Sequence, residues 1–190
     1  MRIISGIYKG KNIYSVAGFT ARPTTDFLKE MLFSTLFSLN PNMKNILDLY
    51  AGSGSLGFEA ISRGSKYVTF VEMSQKAIST IFANIELLGC HTKCKVLIKK
   101  VEVFLTNPPD EKYDLIFADP PYNKDLVNKA IQKIFENDLL SDDGILIVEH
   151  SKNEIIDNDY EKYIFKEKQS GGTVFTFLYN KNCHSEERRI

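Results

Sequence analysis

The feature of this sequence that most restricts its fold is a regular alternation of short apolar runs with longer stretches of helical spacing. Five runs predict strands, and they read "NILDLY", "YVTFVE", "CKVLI", "YDLIFA" and "GILIVEH". The segments between them predict helices, and they read "SLGFEAISRG", "SQKAISTIFANIELLG", "VEVFLTN" and "KDLVNKAIQKIFEN". Unbroken apolar strands that alternate with helices are typical of a parallel sheet covered on both faces. The sequence therefore predicts an α/β fold.

The two ends of the chain depart from this alternation. Residues 2–22 predict one or two short strands or a hairpin. The stretch "RPTTDFLKEMLFSTLFSL" predicts an amphipathic helix with a core stripe of Phe27, Met31, Leu32 and Leu36. Near the end, "YEKYIFKEKQ" and "TVFTFLYN" flank "SGG" and predict an antiparallel hairpin. We therefore expect an N-terminal extension over 1–40, a main domain over 41–180 and a polar tail over 181–190.

Charge and cysteine content exclude several classes of protein. The formal net charge is +0, from 24 basic and 24 acidic residues, so any basic surface must be local. Three cysteines without a C-x-x-C pair argue against a disulfide framework and for a reducing compartment. Cys90, His91 and Cys94 lack a fourth ligand at suitable spacing, so no metal is expected. No signal peptide or membrane-spanning run is evident, and we expect a cytoplasmic protein without membrane contact.

The loop "LDLYAGSGSLG" follows the first main-domain strand and opens a helix. Gly52, Gly54 and Gly57 form the pattern G-x-G-x-x-G, which allows a tight turn and lets a ligand lie against the backbone. Glu72 ends the next strand, 20 residues past Gly52, where a carboxylate can accept hydrogen bonds from ribose hydroxyls. These features predict a ribonucleoside cofactor but do not distinguish NAD from S-adenosylmethionine.

The stretch "YDLIFADPPYNK" brings four unusual residues to the end of a strand. Because Pro120 and Pro121 donate no backbone hydrogen bonds and exclude helix before them, the segment leaves the strand as a stiff loop. Ligands of open α/β sheets bind at the carboxyl ends of the strands, near the switch in strand order. We therefore expect Asp119 and the glycine loop to face one crevice.

This loop has the groups needed to activate the exocyclic amine of a nucleobase, a poor nucleophile whose lone pair is delocalised into the ring. The Asp119 carboxylate and the Pro120 carbonyl can accept its two N–H groups, Pro121 keeps both acceptors aimed, and Tyr122 can stack on the base. A sulfonium methyl group placed in line then accepts the lone pair, with the gain coming from orientation and preorganised electrostatics. A dehydrogenase has no obvious use for this motif, so the motif favours S-adenosylmethionine.

Several segments in this order resemble the RsmD family of class I, S-adenosylmethionine-dependent methyltransferases. They are "DLYAGSGSLGFEAISRG", "VTFVE", "FADPPY" and "VEH", preceded by "MRIISGIYKGKNIYSV" and "RPTTDFLKEMLF". The family methylates the exocyclic N2 of a guanine in bacterial small-subunit (16S) ribosomal RNA. The resemblance covers about residues 1–179. The Asp-Pro-Pro-Tyr motif also occurs in adenine-N6 methyltransferases, and the N-terminal "RPTTD" is what favours the guanine-N2 family.

The resemblance implies a Rossmann-like, seven-stranded, mostly parallel sheet with a reversed last strand and helices on both faces. It also implies S-adenosyl-L-methionine as cofactor, with Glu72 on the ribose and Met73 on the adenine. The expected cofactor-binding residues are Asp48, Tyr50, Ala51, Gly52, Ser53, Gly54, Glu72, Met73, Lys100, Val101 and Asp119. The expected catalytic residues are Asp119, Pro120, Pro121 and Tyr122.

Two positions depart from the family pattern. After the third strand the family often has Asp or Asn, which contacts the adenine amine, whereas this chain has Lys100 and Val101. A lysine cannot accept a hydrogen bond from that amine, so only backbone contact would remain there. Phe27 stands where the family usually carries a basic residue, which would weaken one RNA contact.

The expected RNA contacts lie in the N-terminal extension. Arg22, Thr24 and Thr25 stand where an extended arm becomes a helix, which suits a phosphate, the methionine carboxylate or simple helix capping. Lys9 and Lys11 are further candidates for a local phosphate patch, whose binding would be salt-sensitive.

The sequence thus predicts a monomeric RNA guanine-N2 methyltransferase that takes its target base out of a helix or from a loop. The expected partner is 16S ribosomal RNA within the small ribosomal subunit. Three alternatives remain open at this point: an adenine-N6 methyltransferase on DNA or RNA, an NAD-dependent oxidoreductase, and a non-catalytic RNA-binding module.

Overall fold

The computed structural model describes residues 1–16, 26–39, 43–121 and 125–180. Its helices are α1 Asp26–Leu39, α2 Ser55–Ser62, α3 Gln75–Leu88, α4 Val101–Thr106, α5 Leu126–Glu136 and α6 Asn158–Glu161. Its strands are β1 Asn45–Leu49, β2 Tyr67–Glu72, β3 Cys94–Ile98, β4 Tyr113–Ala118, β5 Leu140–Ser151, β6 Ile164–Ser170 and β7 Thr173–Tyr179. A short 3₁₀ turn, His91–Lys93, precedes β3.

The seven strands form a mixed sheet in the order β3-β2-β1-β4-β5-β7-β6. Strand β7 runs antiparallel to both β5 and β6, whereas the β1–β2, β2–β3 and β4–β5 pairs are parallel. The predicted α/β fold, with its mostly parallel sheet and reversed last strand, is confirmed.

The chain divides into two compact units, Met1–Val101 and Glu102–Ile190. In the first unit, the short strand β1 is buried along nearly its whole length, and every residue of α2 is buried. Gly57 lets this helix approach the sheet, because a Cβ atom there would lie 2.3 Å from a ring carbon of Phe70. Phe58 packs against the same ring with centroids 5.0 Å apart. The packing fixes the start of α2, and with it the end of the glycine loop.

The N-terminal segment folds back on itself and docks on α2. Its predicted hairpin is confirmed over residues 2–12 as a single antiparallel bridge, Arg2 to Asn12, with a turn between them. Gly6 has φ 84 and sits so close to α2 that a Cβ atom would lie 1.8 Å from the Ser62 carbonyl oxygen. Residues 17–22 of the predicted hairpin lie outside the described part of the chain.

Helix α1 differs in part from the predicted core stripe. Leu32 and Leu36 are buried as expected, but Phe27 is 68% exposed. Lys29, one helical turn before Phe33, is instead completely buried. The buried face of α1 therefore includes a lysine as well as apolar residues, whereas Met31 of the predicted stripe is only half-buried.

In the second unit, α5 buries residues at helical spacing and β6 and β7 form the predicted hairpin, which turns at Gly171 with φ 61. Strand β5 begins earlier than predicted, because Leu140 pairs with Tyr113 across an irregular register. Helix α6 was not predicted. Among the described residues, no helix has the length and apolar character needed to cross a membrane. The proposed boundary at residue 40 stays a prediction, and the tail 181–190 lies outside the described residues.

Candidate functional site

The glycine loop between β1 and α2 adopts a left-handed backbone at three positions. Tyr50, Gly52 and Gly54 have φ values of 56, 57 and 78, and Gly54 N donates to the Ala51 carbonyl at 2.8 Å. A Cβ atom on Gly54 would lie 2.6 Å from the Phe58 ring. Among the residues that the structure describes, one on Gly52 would meet only the Tyr50 carbonyl oxygen, at 4.0 Å. Gly54 therefore serves packing, and the side of Gly52 is open to an approaching ligand. Tyr50 is the non-glycine residue that carries strain in this loop.

The Glu72 carboxylate ties the glycine loop to the end of β2. Its Oε2 accepts from Gly52 N at 2.9 Å, and its Oε1 accepts from Met73 N at 2.7 Å and Ser74 N at 2.8 Å. An ionised carboxylate has about four acceptor positions, so three bonds leave about one for a further donor. The residue expected to hold the ribose therefore also holds the loop in shape.

Asp48 lies in β1 beneath this loop and is 3% exposed. Its Oδ2 accepts from Gly57 N at 3.1 Å. Burial raises the pKa of Asp48 to about 8, the Gly57 N–H opposes this rise, and the charge of Glu72 adds to it. A buried acid with so high a pKa is a candidate partner for a bound cation, which would favour its ionised form.

This raised pKa predicts how stability depends on pH. The folded state holds the Asp48 proton up to about pH 8, whereas the unfolded chain releases it near 3.8. The contribution of Asp48 to the free energy of unfolding is therefore largest below the unfolded pKa. It falls as pH rises through the folded pKa, by at most about 1.4 kcal/mol per pH unit.

We expect Asp48→Asn to remove this dependence. Urea unfolding of both proteins between pH 5 and about pH 9 measures it, with the asparagine variant as the reference for all other groups. The variant should gain stability relative to the native chain as pH rises. A constant difference between the two curves would show that Asp48 titrates normally.

Sequence patterns did not predict two buried polar residues of this region, Asn84 and Ser55. Asn84, fully buried on α3, donates to the Ser53 carbonyl at 3.1 Å and bonds both main-chain groups of Tyr14. Ser55 begins α2, and its Oγ is buried with no hydrogen-bond partner among the described residues. The available signal for Asn84 was a polar residue inside the apolar stripe Ile81, Ile85 and Leu88.

The residues expected near the adenine are partly exposed. Met73 is 55% exposed, and so is Ile98, which pairs with Glu72 across β2 and β3. Lys100 is exposed, whereas Val101 is buried at the start of α4. Of these two, only the lysine side chain reaches the surface, so their cofactor role stays a prediction.

The Asp-Pro-Pro segment follows β4 in the second unit. Residues 115–118 are buried, Asp119 is half-buried, Pro120 is buried and Pro121 is exposed. Burial of one proline ring and its fixed φ restrict the backbone beside the carboxylate. Tyr122 lies outside the described residues, and the catalytic roles of the four residues stay predictions.

The expected RNA contacts are described only in part. Lys9 and Lys11 are exposed in and beside the turn of the N-terminal segment, and the Lys11 Nζ lies 5.3 Å from the centre of the Tyr8 ring. Arg22, Thr24 and Thr25 lie outside the described residues. Within the described ranges, no group of three or more His, Cys, Asp or Glu side chains is placed to hold a metal ion.

Comparison with known proteins gives consistent relatives over nearly the whole chain. The model of the family "Conserved hypothetical protein 95" matches residues 1–179. "Ribosomal RNA small subunit methyltransferase D" of Haemophilus influenzae is 34% identical over 182 residues, which cover 95% of this chain and 94% of that protein. The Escherichia coli K12 protein of the same name is 27% identical, with 98% and 92% covered.

A solved structure has a closely similar fold. The structure of a hypothetical protein from Thermus thermophilus has a TM-score of 0.82 at 26% identity and covers 94% of this chain and 99% of its own. The resemblance inferred from the motifs is therefore confirmed. The chain belongs to the family described as "Conserved hypothetical protein 95", the RsmD family, which includes the ribosomal RNA small subunit methyltransferases D.

Proposed function

We propose that this protein transfers a methyl group from S-adenosyl-L-methionine to small-subunit ribosomal RNA, and that the acceptor is the exocyclic N2 of a guanine. The observation that carries the proposal is the family match over residues 1–179, which includes both the glycine loop and the Asp-Pro-Pro segment. Relatives that match 95% and 98% of this chain are named as methyltransferases of small-subunit ribosomal RNA.

The residues of the first unit fit an adenosyl amino acid. Glu72 would hold the ribose with its remaining acceptor position, and the open side of Gly52 would admit the ligand close to the backbone. Asp48, with its raised pKa, would meet the α-ammonium group and become ionised on binding. The orphaned Ser55 Oγ, at the start of α2, would bond the α-carboxylate.

The bound cofactor would supply an electrophilic methyl carbon on sulfur. The part of this chain is then to orient the acceptor amine: its two N–H groups donate to the Asp119 carboxylate and to the Pro120 carbonyl. Asp119 need not be a strong base, since the amine proton becomes acidic only once the new C–N bond forms. Orientation and preorganised acceptors account for the rate gain in this scheme.

The N-terminal segment would contact the RNA. Lys9 and Lys11 are exposed there, and with Arg22, Thr24 and Thr25 they form the proposed phosphate-binding set. The net charge of the chain is zero, so this contact must be local and should weaken with added salt.

The test is transfer of labelled methyl groups from S-adenosyl-L-methionine to ribosomal RNA from cells that lack the modification. Small subunits and naked 16S RNA should be offered separately, and the RNA digested to nucleosides for mass spectrometry. We expect the label in N2-methylguanosine. Label in N6-methyladenosine would replace the guanine proposal by the adenine alternative, and binding of NAD without binding of S-adenosyl-L-methionine in calorimetry would overturn the methyltransferase proposal.

A further inference from the structure

Two cysteines face each other at the junction of α3 and β3. Helix α3 ends at Gly89, which has φ 65, and Cys90, the turn His91–Lys93 and Cys94 lead into the strand. The two sulfur atoms are 3.6 Å apart. Cys90 is 2% exposed, whereas Cys94 is half-buried. The pair plays no part in the proposed methyl transfer.

This arrangement has the features of a redox-active thiol pair. A disulfide needs a sulfur–sulfur distance of about 2.05 Å, so closure requires the two sulfurs to move by only about 1.5 Å relative to each other. The hydrogen bond between the two thiols lowers the pKa of Cys90, burial opposes this, and the charge of His91 adds to the lowering. The same hydrogen bond raises the pKa of Cys94, and burial adds to the rise. The pair therefore combines an accessible sulfur, on Cys94, with a buried one, on Cys90.

We propose that Cys90 and Cys94 are a reversible modification site, which a hydroperoxide oxidises to an intramolecular disulfide. In the first step, the Cys94 sulfur forms a bond to a peroxide oxygen as the O–O bond breaks, and the departing oxygen takes the Cys94 proton and leaves as water or an alcohol. In the second step, the Cys90 sulfur attacks the Cys94 sulfenic acid, the S–O bond breaks, and the departing hydroxide takes the Cys90 proton as water.

The oxidation product of one thiol depends on whether a second thiol lies next to it. A sulfenic acid next to a thiol condenses to a disulfide, whereas an isolated one proceeds to the irreversible sulfinic acid. The disulfide is opened again by thiol reductants through exchange. In a reducing compartment it would therefore be transient, as redox-sensing disulfides are.

The test is to treat the folded full chain with hydrogen peroxide, block free thiols by alkylation and digest with trypsin without reduction. Cleavage after Lys93 separates the two cysteines into peptides 77–93 and 94–95. We expect most chains to yield these peptides joined, at two hydrogen masses below their sum, and dithiothreitol to separate them. Recovery of both peptides as alkylated thiols, or of either as a sulfinic acid, would overturn the proposal.

Two variants control for other pairings. Cys183→Ser should leave the joined peptides unchanged, since that cysteine is not part of the pair. Cys94→Ser should abolish the link completely and leave Cys90 either as a thiol or over-oxidised. If Cys183→Ser instead abolishes the link, or if Cys90 is found joined to Cys183, the proposed pair is wrong.

Discussion

Replacement of Asp119 by asparagine should lower the rate of methyl transfer by about a thousandfold. The asparagine side chain has the same shape, but it offers the amine one acceptor oxygen and one NH₂ group in place of two oxygens. If Asp119 accepts an N–H of the target base, the variant presents a donor to a donor for part of the time and loses the preorganised negative charge. The measurement is single-turnover transfer of labelled methyl groups at saturating cofactor.

The control for this variant is Asp142→Asn, which removes an exposed carboxylate from the same compact unit and should leave the rate within about twofold. Calorimetry with S-adenosyl-L-methionine should accompany both variants, so that weaker cofactor binding is not counted as a loss of chemistry. If the Asp119 variant transfers methyl groups as fast as the control, the proposed role of the loop fails even though the family assignment stands.

Replacement of Glu59 by leucine should destabilise the protein by about 3–5 kcal/mol, the cost of breaking a buried ion pair. The Glu59 carboxylate is fully buried and accepts from Ile4 N at 2.8 Å, Ser5 N at 3.0 Å and the Arg63 Nε at 2.8 Å. The buried Lys29 Nζ lies 4.0 Å from it. Leucine would leave two amides and two cationic side chains without this acceptor.

Equilibrium unfolding in urea measures this loss, and Glu30→Gln is its matched control. Glu30 also pairs with Arg63, at 3.2 Å, but its side chain is 55% exposed, so its loss should cost less than about 1 kcal/mol. Hydrogen exchange at the amides of residues 4 and 5 should rise in the Glu59 variant and not in the control. Equal stabilities of the two variants would mean that the N-terminal segment does not dock as described.

Local sequence patterns were sufficient to predict most elements of this fold. The run "YVTFVE" coincides with β2, and Gly89 ends α3 in the left-handed conformation that favours glycine. The early start of β5 was missed because "SDD" is typical of a loop. Leu140, just before it, pairs with Tyr113, and the register then shifts, so that Leu115 pairs with Ile145. Helix α6 has four residues, which is too short for helical periodicity to show.

The glycine loop and Glu72 were predictable because each lies at a fixed position relative to a strand: the loop follows β1, and Glu72 ends β2. The buried polar groups were not predictable in the same way. Lys29 and Glu59 are charged residues of the kind that normally lies on the solvated face of a helix. Their burial depends on main-chain partners that are distant in the sequence, because Lys29 donates to the Arg2 carbonyl and Glu59 accepts from residues 4 and 5. Such long-range pairings leave no local signature.

The N-terminal segment docks through several main-chain hydrogen bonds to α2, and the side chains of Ile3 and Ile13 are buried as well. Besides the two amides on Glu59, Ile7 N donates to the Ser62 carbonyl at 2.8 Å and Tyr8 N donates to the Ser62 Oγ at 2.9 Å. The main-chain bonds and these two buried side chains hold the segment, so homologues can exchange the residues that face outward without losing the attachment. Evolutionary constraint should instead concentrate at the Glu59 carboxylate, the Ser62 hydroxyl, Gly6 and the two buried isoleucines. Substrate preference can then diversify through the exposed residues of a segment whose attachment does not change.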